Sequence, residues 1–221
     1  VFNVGSAGAD LLLEAPRLSR GETLKVLNNF IKHKKGYKNL DTKAPYILMT
    51  QHPVTTEFGE AAKQISETME AIKNFQGQLV ILWPNIDAGS DDISKVLRRY
   101  LTDKKYEKKI SVFKHLPTEI FINLMRNASC VVGNSSSGVR EASYFGTPVV
   151  NIGSRQLGRE RGRNVMDAPA DTREIAKAIR AQVAHGRYPV EKIYGEGNAG
   201  RKVAEILATV RLPSIQKKIT Y

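Results

Sequence analysis

Short, unbroken apolar runs alternate with segments of helical periodicity along this chain, and that alternation leaves few folds open. The runs are Tyr46–Thr50, Gln78–Trp83, Ile110–Phe113, Ser129–Val132 and Pro148–Ile152, with shorter candidates at Phe2–Val4 and Asn164–Asp167. A strand that is apolar throughout has both faces covered, as in a parallel sheet between helix layers. Helices are expected between the runs. One starts at Ser19, spaced with Glu22 as a capping box, and runs to about Lys35. Another spans Thr55–Phe75, with Phe58, Ala61, Ala62, Ile65, Met69 and Ile72 on one face. Others are Ala9–Glu14, a helix capped by Ser90, one with Pro117 in its first turn, Gly138–Phe145, Thr172–Ala184 and Ala199–Val210. The pattern predicts an α/β fold: a Rossmann-like parallel sheet between helix layers, joined by right-handed crossovers. Residues 1–185 are read as that domain. Residues 186–221 are read as a Gly- and Pro-bearing connection, a last helix and a basic tail.

Ligands of open parallel sheets bind beyond the carboxyl ends of the strands. Four polar segments fall at such ends: His52, Phe113–Leu116, Asn134–Ser137 and Gly153–Arg155. The third is the most informative. Ser135, Ser136 and Ser137 lie between Gly133 and Gly138, at a strand-to-helix turn. One serine suffices to cap a helix. Three, with glycine on both sides, favour binding of an anion such as a diphosphate. Gly138 allows close backbone approach. Glu141 is read one turn into the helix, where its carboxylate can accept from a sugar diol or simply lie exposed. The residues leave both open.

His52, before Pro53, is either a loop histidine or a group that touches phosphate or transfers a proton. Arg155, Arg159, Arg161 and Arg163 follow the run Pro148–Ile152, and the planar fork of arginine suits phosphate. Arg155 is the one expected to reach a ligand. Phe113 and the backbone beside it can receive a nucleobase. No His, Cys or carboxylate cluster has metal-ligand spacing, and no cofactor is implied.

The bulk numbers narrow the class. The 221 residues carry a net charge of +12, but the basic residues fall in separate groups, and no interleaved aromatics suit base stacking. Nucleic acid is therefore not an expected partner. No apolar run approaches the ~18 residues that span a bilayer, so no membrane partner is expected and a cytoplasmic location fits. The lone Cys130, in an apolar run, reads as a buried small side chain.

With these residues assembled, the chain resembles the UDP-N-acetylglucosamine 2-epimerase family, and within it the hydrolysing branch. The likeness rests on Asn3–Gly5, Gln51–Glu57, His115–Pro117, the long segment from Gly133 to Val165, and Tyr194–Gly200. The non-hydrolysing branch carries aspartate and a double glycine in the serine turn, which this chain does not. The resemblance implies the C-terminal, UDP-binding half of a two-domain fold of the GT-B type. Ser135 and Ser136 would then contact the diphosphate, Glu141 the ribose, His52 the diphosphate or reacting sugar, and Arg155 the same pocket. It also implies that the acid/base carboxylates belong to an N-terminal domain that nothing in these residues matches. The expected reaction is release of UDP and N-acetylmannosamine from UDP-N-acetylglucosamine, by a homodimer when full length. A GT-B glycosyltransferase and a non-catalytic nucleotide-sugar-binding module are the alternatives.

Overall fold

The computed structural model describes residues 1–33, 37–104, 106 and 109–211. The expected basic tail beyond Pro213 and the last residues of the helix expected to reach Lys35 lie outside the described residues. The chain divides into two compact units, Ala15–Ile193 and a smaller one formed by Val1–Glu14 with the segment from Tyr194 onward. The sequence reading divides the chain at 185/186 instead.

The larger unit is a six-stranded sheet: β1 (Tyr46–Thr50), β2 (Gln78–Leu82), β3 (Ile110–Phe113), β4 (Cys130–Gly133), β5 (Val149–Ile152) and β6 (Val165–Ala168). Every pairing is parallel and the order is β3-β2-β1-β4-β5-β6. The order reverses between β1 and β4, which opens a crevice at their carboxyl ends.

Alternate residues of each strand enter opposite layers. Ile47, Met49, Leu79, Ile81, Val132 and Ile152 pack with α3 (Ala61–Ile72), α4 (Ser90–Thr102) and α7 (Thr172–His185). Tyr46, Leu48, Val80, Val131 and Val149 pack with α2 (Arg20–Ile31) and α5 (Thr118–Asn127). This two-sided burial is why the runs are apolar throughout. Cys130 is buried in the first layer, and burial pushes its thiol up to about 12.

The helix ends refine the sequence reading. Ser19 and Glu22 form the expected capping box before α2. Phe2–Val4 is not a strand, and Phe2 is exposed. α3 starts at Ala61 because Gly59, at φ +89°, interrupts the chain; Phe58 before it is 83% exposed and belongs to no helical face. Ser90 is the first residue of α4, and Gly89, at φ +93°, holds the cap position. Pro117 immediately precedes α5. The helix expected over Gly138–Phe145 begins earlier, as α6 (Ser136–Arg140), and breaks at Glu141 into a 3-10 turn over Ala142–Phe145.

In the smaller unit, Asp10 of α1 (Ala7–Glu14) accepts from the N–H groups of Ala199 and Gly200 at 3.0 and 2.8 Å, which caps α8 (Ala199–Thr209). The Ser6 N–H donates to the Tyr194 carbonyl at 2.7 Å. The opening and closing motifs of the chain therefore meet, through a cap from a distant residue that no local pattern announces.

The tightest approach in the sheet is at Gly133. Its φ is +131°, and a Cβ there would overlap the Thr50 carbonyl. Gly153, at φ +71°, faces open space. Urea denaturation should therefore show Gly133→Ala losing about 3 kcal/mol or more and Gly153→Ala about 1 kcal/mol, the left-handed strain alone.

Candidate functional site

β1 and β4 leave the sheet side by side, and one residue joins their ends. Asn134, 1% exposed, follows Gly133. Its N–H donates to the Thr50 carbonyl at 3.1 Å. Its Oδ1 accepts from the His52 N–H at 2.7 Å, and its Nδ2 donates to the His52 carbonyl at 2.8 Å. Its own carbonyl accepts from Gln156 Nε2 at 2.8 Å and Arg155 Nη1 at 3.2 Å. The loops after β1, β4 and β5 are thereby tied into one piece. Glu57 ties the first to the third again, through the Ser154 hydroxyl.

His52 is 5% exposed, and its Nδ1 accepts from the Asn85 N–H at 3.1 Å. The ring proton therefore lies on Nε2. Burial, then the Arg155 guanidinium, push its pKa down to about 4, against a smaller opposing pull from Asp87. Near neutrality the ring is uncharged and offers a hydrogen-bond donor rather than an ionised acid.

An open cleft of about 350 Å³ lies at this edge. Its walls include Thr50 at the end of β1 and His52 after it, Trp83 and Asn85 after β2, and Lys114 and His115 after β3. Phe121 of α5, Ser135, Ser137 and Glu141 are among its other walls. A larger hollow of about 450 Å³ lies toward the other end of the strands, lined by Phe75, Ile179 and Val183 among others; none of the expected site residues lines it.

The serine turn does two jobs. Ser135 Oγ caps α6 by accepting from the Ser137 N–H at 3.4 Å, and it lies 3.0 Å from Ser137 Oγ. Ser135 and Ser137 line the cleft; Ser136 and Gly138 do not. The close approach that Gly138 permits is to the sheet, since a Cβ there would meet Val149 Cγ1 at 3.2 Å. With five residues, α6 has little macrodipole, so the turn can offer an anion only its individual donors.

Glu141 stands at the carboxyl end of α6, not inside it, and lines the cleft. Burial raises its pKa, against the Arg140 charge. No hydrogen bond to its carboxylate is present among the described residues. Arg155 is not a lining residue; it backs the cleft through Asn134, with Nη2 3.9 Å from Asp87.

Phe113 is a correction. Its ring is 1% exposed and stacked on Tyr37 at 5.2 Å, and its carbonyl accepts from the Trp83 N–H, so it is a core side chain rather than a nucleobase platform. Two of the other arginines have structural partners: Arg161 pairs with Asp167, and Arg163 with Glu191 at 2.9 Å. Sequence reasoning missed Asn134 as a hub, and Trp83, Asn85 and Phe121 as walls. The strand-end rule, applied after β2 as well, points to Trp83 and Asn85. Among the described residues, no group of three or more His, Cys, Asp and Glu is placed to hold a metal ion, and no helix is long and apolar enough to cross a membrane.

A family model described as UDP-N-acetylglucosamine 2-epimerase matches residues 1–208. A UDP-N,N'-diacetylbacillosamine 2-epimerase (hydrolyzing) of Legionella pneumophila is 28% identical over 214 residues, covering 97% of this chain and 53% of the relative. A GDP/UDP-N,N'-diacetylbacillosamine 2-epimerase (hydrolyzing) of Campylobacter jejuni is 30% identical over 171 residues, 76% of this chain and 41% of the relative. The fold is similar to that of a UDP-GlcNAc 2-epimerase of Methanocaldococcus jannaschii, solved in complex with UDP-GlcNAc and UDP. That match has a TM-score of 0.66 at 16% identity and covers 94% of this chain and 54% of the other. It is also similar to an Escherichia coli ADP-heptose lps heptosyltransferase II, with a TM-score of 0.55 at 12% identity over 76% of this chain and 53% of the other. At such identities the structural likeness concerns the fold alone. The chain spans about half the length of the curated relatives it matches.

The state of His52 has a measurable consequence. Its folded pKa of about 4 lies below the unfolded value of 6.5, so the unfolded chain binds the extra proton between them. The stability that the neutral ring contributes is intact above pH 6.5 and is lost as pH falls toward 4. Between pH 7.5 and pH 5 urea unfolding should show a loss of roughly 2 kcal/mol from this group. Glu141, with its raised pKa, acts in the opposite sense, so the quantity to read is the difference between wild type and His52→Gln, which lacks the titration.

Proposed function

The chain belongs to the UDP-N-acetylglucosamine 2-epimerase family, whose model matches residues 1–208; from that premise we propose that residues 15–193 form the UDP-binding half of a hydrolysing nucleotide-sugar 2-epimerase. The observation that carries the reading is the convergence of His52, Ser135, Ser137 and Glu141 on one cleft at the point where the strand order reverses.

In this reading Glu141 accepts from the ribose hydroxyls. Its desolvated carboxylate, without a hydrogen bond among the described residues, suits a diol that supplies two donors. The serine turn, Ser135 to Ser137, meets the diphosphate, and the His52 Nε2–H donates to a phosphate oxygen. Arg155, behind Asn134, adds positive potential. These groups stabilise charge as UDP departs, which a fixed set of donors in a half-buried cleft does better than water. The reaction proposed for the whole protein is loss of the proton at C2, elimination of UDP to a glycal, and addition of water. That yields N-acetylmannosamine from UDP-N-acetylglucosamine. The carboxylates that move the C2 proton are assigned to a second domain, and a homodimer is the proposed assembly. The hydrolysing assignment draws on the serine turn and on the hydrolysing relatives. The substrates named for those relatives make a diacetamido sugar the variant to assay beside the N-acetyl sugar.

The likeness to a heptosyltransferase favours one second reading, a GT-B glycosyltransferase, and only through the fold. Products separate the two: a transferase needs an acceptor, an epimerase only water.

Calorimetric titration of the protein with UDP and ADP tests the site. UDP should bind more tightly than ADP, and Glu141→Ala should weaken UDP about 10- to 100-fold, the loss of two hydrogen bonds to a charged acceptor. Equal affinity for UDP in wild type and variant would remove Glu141 from the site. Release of UDP from a UDP-sugar only in the presence of an acceptor would replace the epimerase by a transferase.

A further inference from the structure

The clamp between Asn134 and His52 is more than sheet closure requires. The Asn134 N–H already joins β4 to β1 through Thr50, and Gly133 already brings the two ends together. The side chain adds a second function. One amide takes both main-chain groups of residue 52, N–H and C=O, at 2.7 and 2.8 Å. With the Asn85 N–H on Nδ1 at 3.1 Å, the peptide and one edge of the ring are held at three points. Nε2 is the nitrogen left for a ligand, and His52 lines the cleft beside the serines.

We propose that Asn134 is a positioning residue: through its paired hydrogen bonds to the His52 main chain it sets where the imidazole Nε2–H points relative to the serine turn, and so how the cleft meets a departing diphosphate. The substrate in this statement rests on the reading of the preceding section; the geometry does not. Asn134 itself contacts no ligand, being 1% exposed and absent from the cleft wall. Its influence is transmitted, and asparagine suits it because aspartate could accept from the His52 N–H but not donate to the carbonyl. It would also bury a charge. The charged and titratable groups around His52 are Arg155 and Asp87, with Glu141, Lys114 and His115 on the same cleft.

The test compares wild type, Asn134→Ala and Asn134→Ser in the whole protein, second domain included. Three quantities are read: the nitrogen NMR spectrum of labelled His52 across pH, UDP release from UDP-N-acetylglucosamine resolved into kcat and KM, and the urea midpoint. A loosened His52 should lose the fixed Nε2–H tautomer, and its titration should move up from about 4 toward the ordinary 6.5. In the folded variants kcat should fall about tenfold or more while KM changes by less than about threefold, the pattern of a misdirected group at the transition state. Variants that lose stability but keep the wild-type His52 tautomer, titration and kcat would overturn the proposal and leave Asn134 a structural brace. Asn134→Ser, which keeps a small polar side chain, carries the comparison where Asn134→Ala does not fold. A whole protein, second domain included, that turns over no UDP-sugar would sink the reading of the preceding section, and the His52 spectra alone would then decide whether Asn134 positions the ring.

Discussion

The cleft depends on how closely β4 can pass β1 at their carboxyl ends. Where the order reverses, the chain leaves neighbouring strands toward opposite faces, and a crevice that is only a gap has no chemistry. Here the gap is bridged. Gly133 adopts a conformation closed to side chains, which lets the chain press against the Thr50 carbonyl. Asn134 then uses that proximity to clasp His52, two residues beyond β1, with both ends of its amide. Each bond is buried, so each would cost more unmade than it contributes made. His52, the serine turn and Arg155 inherit their positions from this crossing.

The electrostatics of the cleft are set by removal of water more than by charge pairing. Burial holds His52 neutral, and Arg155 reinforces it. Burial also disfavours the Glu141 carboxylate, against the attraction of Arg140. Both side chains are made ready to exchange lost hydration for hydrogen bonds from a ligand. That is the condition under which a few polar contacts carry specificity.

Much of the architecture was legible because its signals are local. The apolar runs at Tyr46, Gln78, Ile110, Ser129 and Pro148 sit within a residue of the observed strands, since two-sided burial demands unbroken apolarity. The Ser19–Glu22 cap was legible for the same reason. The misses have non-local or competing causes. Gly59 overrode a good helical face and left Phe58 in solvent. Phe113 shares a strand end with cleft-forming residues, but strand parity turns its ring to the α2–α5 layer. Asp10 caps a helix nearly two hundred positions away, and the link that divides the chain differently from its sequence leaves no trace in composition. Of the cleft walls, the serine turn and His52 were legible as residue types at strand ends, and Glu141 as a carboxylate in the helix that follows. That Asn134 holds them together was not, because a clamp between a side chain and another residue's main chain does not depend on the identity of the residue it grips.

That last property reaches beyond this molecule. Asn134 grips residue 52 by its peptide groups, not by its ring. Any residue that tolerates the same backbone could occupy position 52 without loosening the clasp, whereas position 134 admits almost nothing else. The arrangement separates the frame from the tool it carries. A lineage built on it can exchange the side chain at position 52 at one codon while the scaffold stays intact, and should vary at the first position sooner than at the second.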